Sequence, residues 1–166
     1  MHWLEKTSAV LNRGLAWVAG LTLVGAMLFT VLDMVLRQFG RPVAGSYEVI
    51  GWLSAAAMAL ALGYTQLHRG HVSIDLLVAR FEGRVRSSVE SATSLCALLL
   101  FGAVAVYVAN YGTVLEESGS LSETLKAIVY PWVYVVAIGA AGLTVALLVD
   151  FLRCVHRLVR GSQGPN

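Results

Sequence analysis

Charge is scarce in this chain of 166 residues: ten Asp or Glu and twelve Lys or Arg make up 13% of it, against 57% hydrophobic residues. So apolar a composition excludes an ordinary soluble domain and points to lipid as the surrounding medium. The net charge of +2 is small and its carriers are scattered between apolar runs, which excludes nucleic-acid binding, since that needs a clustered basic face. Cysteine is nearly absent. Cys96, inside an apolar run, and Cys154, in a basic tail, fit neither a metal spacing nor a disulfide framework and read as free thiols. Histidine is missing from the apolar runs, which removes the facing axial ligands a four-helix haem protein needs. No convergent catalytic groups are visible, so neither an enzyme nor a cofactor is expected.

Midplane carboxylates are missing too. Asp33, Glu48, Glu90 and Asp150 all fall near the ends of apolar runs, which argues against a self-contained exporter coupled through one buried acid. Proline interrupts the runs once, at Pro131. The paired broken helices that build midplane sites in secondary transporters are therefore not predicted.

What is present is four apolar runs, 14–36, 47–67, 88–111 and 127–152. Each has the roughly 20 residues that cross about 30 Å of hydrocarbon as an α-helix. An open sheet could not satisfy its backbone in lipid, and the runs lack the alternation of barrel strands. The first run is longer than a signal-peptide core and no small-residue cleavage site follows it, so it is expected to be retained. The sequence thus predicts an all-α membrane protein of one domain, 1–166, with four transmembrane helices. Nine Lys or Arg lie on the side of the two termini and the middle link, and three (Arg37, Arg41 and Lys126) on the other. The positive-inside rule places both termini in the cytoplasm. Trp17 then anchors the inner interface, and Tyr130 and Trp132 the outer one, where amphipathic rings settle.

The connections carry further expectations. Gly40, Pro42 and Gly45 make the first loop a tight hairpin turn, and Ser46 is placed to cap the second helix. The link 68–87 carries Ile74, Leu77, Val78, Phe81 and Val85 at helical spacing beside Arg80, Arg84 and Arg86, the pattern of an amphipathic helix lying in the inner interface or of a soluble helix packed on the bundle. His68, His71 and Asp75 lie close in that link, but a pair of loop histidines without further ligands is not a metal site. Ser120 to Glu123 has the form of a capping box, which predicts a helix start there, with Pro131 either kinking that helix or opening a new one. Gly51, Ala55, Ala59 and Gly63 recur at every fourth position, a stripe that lets another helix approach closely. Asp33 and Arg37 are four apart on one helix, and the hairpin brings Glu48 towards them, which suggests a charge-compensated cluster. Because an arginine beside them keeps carboxylates ionised, the cluster reads as structural and not as a proton site.

One stretch is more specific than these patterns. The segment RQFGRPVAGSYEVIGWLSAAAMALALGYTQLHRGHVSIDLLVARF, Arg37 through Phe81, resembles the small membrane subunit, the DctQ-like or Q component, of tripartite ATP-independent periplasmic (TRAP) transporters. Arg37 closing the first span, Glu48 opening the second, and His71, Val72, Ser73, Ile74 and Asp75 match the order of elements in that family, and the fourth span with Pro131 and Trp132 is also similar. The resemblance implies two partners, a large multi-span permease subunit carrying the transport pathway and a periplasmic substrate-binding protein. It also implies a sodium gradient as the driving force, organic acids as substrates, and residence in a bacterial inner membrane. This chain would be the fixed support of such a complex. The alternative reading is an independent four-helix exporter or sensor that works as a homo-oligomer.

Overall fold

A computed structural model describes residues 2–68 and 83–161. Of the expected interfacial helix, residues 69–82, with His71, Asp75 and Arg80, lie outside the described residues. Among the described residues the chain is all-α, with helices α1 (His2–Gln38), α2 (Ser46–Leu67), α3 (Gly83–Glu117) and α4 (Tyr130–Gly161). Each is long and apolar enough to cross a membrane. α1 has 37 residues, α3 has 35 and α4 has 32, so all three run past the apolar runs that predicted them. Helical hydrogen bonding does not stop at the hydrocarbon edge, and polar ends such as His2–Arg13 continue the same ladder.

The stops are built from sequence. At the end of α1, Arg41 donates its N–H to the Leu36 carbonyl and Gly40 donates to that of Arg37, both at 3.0 Å, with Gly40 at φ +69°. This pair of bonds closes the last turn with a left-handed residue that glycine adopts without a Cβ clash, and Pro42 then forbids continuation. The end of α3 repeats the device at Gly119, φ +61°, with Ser120 donating to Leu115 and Gly119 to Glu116, both at 3.2 Å.

Two antiparallel hairpins result, α1–α2 and α3–α4, and they join through parallel packing of α2 on α4. α4 touches all three other helices, whereas α3 packs on α4 alone to any extent. The core is made mostly of small residues. Ala56, Ala57, Ala59, Leu60 and Gly63 of α2 are buried against Ala137, Ala140, Leu143 and Ala146 of α4. A Cβ added at Gly139 would land on the Ala59 carbonyl group, so the two backbones touch. Lipid supplies no hydrophobic drive between helices, and close backbone approach is how they gain van der Waals contact.

α1 joins through a narrow seam. Ser8, Asn12, Ala19, Ala26 and Asp33 are buried, with Glu5, Leu15, Thr22 and Phe29 half-buried between them. The alternating steps of three and four are those of a coiled-coil seam, which fits helices crossing at a shallow angle. Asn12 is the key of this seam. Its Nδ2 donates to the Ser8 carbonyl at 3.0 Å, and its Oδ1 fills a notch where Gly63 of α2 and Gly142 of α4 carry no side chain.

Candidate functional site

The loop end of the bundle, where 39–45 and 118–129 cross over, gathers the residues singled out from sequence. Asp33 and Arg37 stand one turn apart on α1, and the Arg37 Nε meets Asp33 Oδ2 at 2.8 Å. Asp33 Oδ1 accepts the Val43 N–H at 3.0 Å, and the Arg37 guanidinium donates to Ser46 Oγ at 3.1 Å. The hairpin turn is thereby tied to both helices that it joins. Arg37 also lies 5.3 Å from the centre of the Tyr47 ring, within cation–π range.

Glu48 does not join that pair. Its two carboxylate oxygens accept the backbone N–H groups of Thr124 and Leu125 at 2.8 and 3.1 Å. The expected three-membered cluster therefore divides into an Asp33–Arg37 lock on one hairpin and a Glu48 clamp on the loop of the other. Gly45 adds to the clamp, because a Cβ there would collide with the Leu125 side chain. Ser46 is the first residue of α2 and not its cap. Gly45, which has no side chain to bond, holds the cap position, and the Ser46 hydroxyl accepts from Arg37.

The helix expected at Ser120–Glu123 is a loop. Ser122 Oγ accepts the Ala127 N–H at 3.3 Å while the Ser122 N–H donates to the Ala127 carbonyl at 2.9 Å. Leu121 and Ile128 form an antiparallel bridge, and Lys126 has φ +54°. Glu48 instead takes the N–H groups of Thr124 and Leu125, which in a helix started at Ser120 would make its first intrahelical bonds. α4 starts at Tyr130, so Pro131 sits in its first turn, where a missing N–H costs nothing.

The small-residue stripe of α2 divides as well. Ala59 and Gly63 are buried in the α2–α4 and α1 contacts, whereas Gly51 and Ala55 are exposed, and a Cβ at Gly51 would meet nothing within 4 Å. With Tyr47 and Met58 they make an open face that is almost bare backbone at its centre. Of the ring anchors, Trp17 is exposed. Trp132 is half-buried and stacked on Trp52 with centroids 5.8 Å apart, and Tyr130 stands edge-on to Tyr134 at 6.2 Å. Tyr134 Oη donates to Glu116 at 2.9 Å and so ties α4 back to α3.

The terminal end carries a second polar node, of which only the helical spacing of Asp150 and Arg153 was legible in the sequence. Arg153 Nε reaches Glu5 Oε1 at 2.9 Å and its NH1 reaches Asp150 Oδ1 at 3.4 Å, while Gln66 Nε2 donates to Asp150 Oδ2 at 2.9 Å. Helices α1, α2 and α4 are thus joined at this end as α1, α2 and the α3–α4 loop are joined at the other. His68 stacks on Tyr64 and its Nδ1 lies 3.0 Å from the Tyr64 carbonyl. Among the described residues no three His, Cys, Asp or Glu side chains are placed to hold a metal ion. Both ends use carboxylates to hold helices and loops in place, fixed by a cation and backbone N–H groups at the loop end and by Arg153 and the Gln66 amide at the terminal end.

Comparison with known proteins gives a family model described as Tripartite ATP-independent periplasmic transporters, DctQ component, which matches residues 26–157. No curated protein and no solved structure gives a significant match.

Proposed function

The chain belongs to the DctQ component family of tripartite ATP-independent periplasmic transporters, and from that premise we propose that it is the immobile scaffold subunit of a sodium-driven importer of organic acids. The family match across 26–157 carries this reading. In it, a large multi-span permease subunit holds the transport pathway, a periplasmic binding protein delivers substrate, and this small multi-pass subunit extends the part of the complex that stays still. The loop end faces the periplasm and both termini face the cytoplasm of a bacterial inner membrane, in keeping with the excess of Lys and Arg on the terminal side.

The geometry supports a support role. Polar groups cross-link the helices at both ends of the bundle, and the carboxylates of Asp33, Glu48 and Asp150 are occupied by bonds within the chain. Much of the chain's apolar surface is left open on α1, α2 and α3, more than the packing of four helices uses. The permease contact is assigned to the open face of α2. There Gly51 and Ala55 let a partner helix come as close as Ala59 and Gly139 bring α2 to α4.

Ala55→Leu tests this reading. The exposed Cβ leaves room for leucine in the isolated chain, so folding is unchanged, while recovery of the permease with tagged chain in mild detergent falls several-fold. Undiminished recovery removes the α2 face from the interface. Recovery of this chain alone, as a homo-oligomer, favours an independent exporter or sensor.

A further inference from the structure

Opposite the packed seam, α1 carries a second stripe with the same alternation of steps: Trp3, Lys6, Val10, Arg13 and Trp17, all exposed. At about 100° per residue the stripe is centred roughly 160° from the seam. Trp3, Val10 and Trp17 are 76%, 67% and 73% exposed. Both acids of α1 lie on the seam side and are engaged, Glu5 with Arg153 and Asp33 with Arg37. The stripe therefore presents two cations and no carboxylate, and neither Lys6 nor Arg13 bonds to a described residue. Arg13 immediately precedes the first apolar run and Lys6 lies about 10 Å further out along the axis, so the two span the head-group layer at one edge of the membrane.

We propose that this stripe is a recognition surface for anionic phospholipid, with Arg13 and Lys6 binding head-group phosphates and Trp17 resting at the acyl boundary one turn deeper. The inference rests on the membrane-spanning reading of α1 and not on any partner subunit. Arginine grips a phosphate bidentately and a lysine stem lies along apolar surface while its ammonium reaches out, so both suit a site half in lipid. A partner helix without acidic residues laid along the stripe would bury both cations without a counter-charge, which is costly. Parallel two-fold pairing with a second copy would set Lys6 against Lys6 and Arg13 against Arg13. Phosphate neutralises both and leaves them hydrated. Each such cation strengthens attraction to an anionic lipid surface about fivefold.

The test uses the full chain with Trp3, Trp52 and Trp132 changed to Phe, so that Trp17 is the reporter, in vesicles of phosphatidylcholine with a minor fraction of phosphatidylglycerol. Bromine is placed on the acyl chains of one lipid or the other. Brominated phosphatidylglycerol is expected to quench Trp17 several-fold more, per molecule, than brominated phosphatidylcholine. The double variant Lys6→Gln, Arg13→Gln should erase that excess while quenching by phosphatidylcholine persists, which shows that the helix is still folded and lipid-exposed. Native mass spectrometry of the unsubstituted chain, with more phosphatidylglycerol than phosphatidylcholine retained, gives the same answer without the Trp changes. Equal quenching per molecule by the two lipids overturns the proposal, as does the absence of quenching by either, which would mean that protein covers the stripe. Neither result bears on permease recovery, so this inference and the scaffold role fail separately.

Discussion

Gly51 and Gly63 occupy one stripe of one helix, yet a methyl group added to each has opposite consequences. At Gly63 the new Cβ meets Asn12 Oδ1 and the backbone of Gly142, so Gly63→Ala should destabilise the isolated chain by about 1–3 kcal/mol through overpacking. At Gly51 it meets nothing, and Gly51→Ala should be neutral or stabilising by up to about 1 kcal/mol, because alanine loses less backbone entropy in a helix. Unfolding of the two variants in detergent by denaturant checks the pair. Equal effects would mean that the stripe is packed evenly along its length. The spacing of small residues was legible in the sequence, but which half packs within the chain was not. That depends on where α4 places Gly139 and Gly142, on a helix about 80 residues away. Asn12 had a signal that went unused: it falls in a seven-residue series with Ala19, Ala26 and Asp33, each a small or polar residue.

At the scale of elements, the junction between the two hairpins depends on Glu48. A carboxylate accepting two backbone N–H groups is a strong clamp. Glu48→Ala should therefore speed amide exchange at Thr124 and Leu125 by roughly ten- to a hundredfold while leaving the interior of α2 protected. Glu48→Gln, with one amide oxygen, should fall between. Unchanged exchange at those two amides would show that the loop holds itself through Leu121, Ser122, Ala127 and Ile128. In the first hairpin, Asp33→Ala removes the acceptor of both the Arg37 side chain and the Val43 N–H, so it should lower the melting temperature more than Ser46→Ala, which removes one hydroxyl from Arg37. Thermal unfolding of the two variants side by side decides this. The helices and the α1–α2 turn were legible because long apolar runs and Gly–Pro chemistry act locally. The loop before α4 was not. A capping-box pattern is a local preference, and here a carboxylate from a distant helix claims the Thr124 and Leu125 N–H groups that the first intrahelical bonds of such a helix would need.

For the whole molecule, the four-helix membrane architecture was legible from hydropathy alone, and the family from the ordered elements between Arg37 and Phe81. Of the polar node of Glu5, Arg153, Asp150 and Gln66 only the three-residue spacing of Asp150 and Arg153 was legible, because the pairing of Glu5 with Arg153 and of Gln66 with Asp150, between helix ends far apart in the chain, leaves no spacing to read. That node and the loop-end locks hold the two hairpins as one body, as a subunit that stays still while another moves requires. The charge asymmetry predicts the orientation, so reporter fusions at either terminus should both score as cytoplasmic. A periplasmic score for either terminus would reverse the assignment of the Glu48 clamp to the outer face. The most direct measurement for the scaffold role is affinity purification of tagged chain from its native membrane in mild detergent, followed by mass spectrometry. Stoichiometric recovery of a large multi-span membrane subunit is the predicted result, and recovery of nothing but further copies of this chain would contradict it.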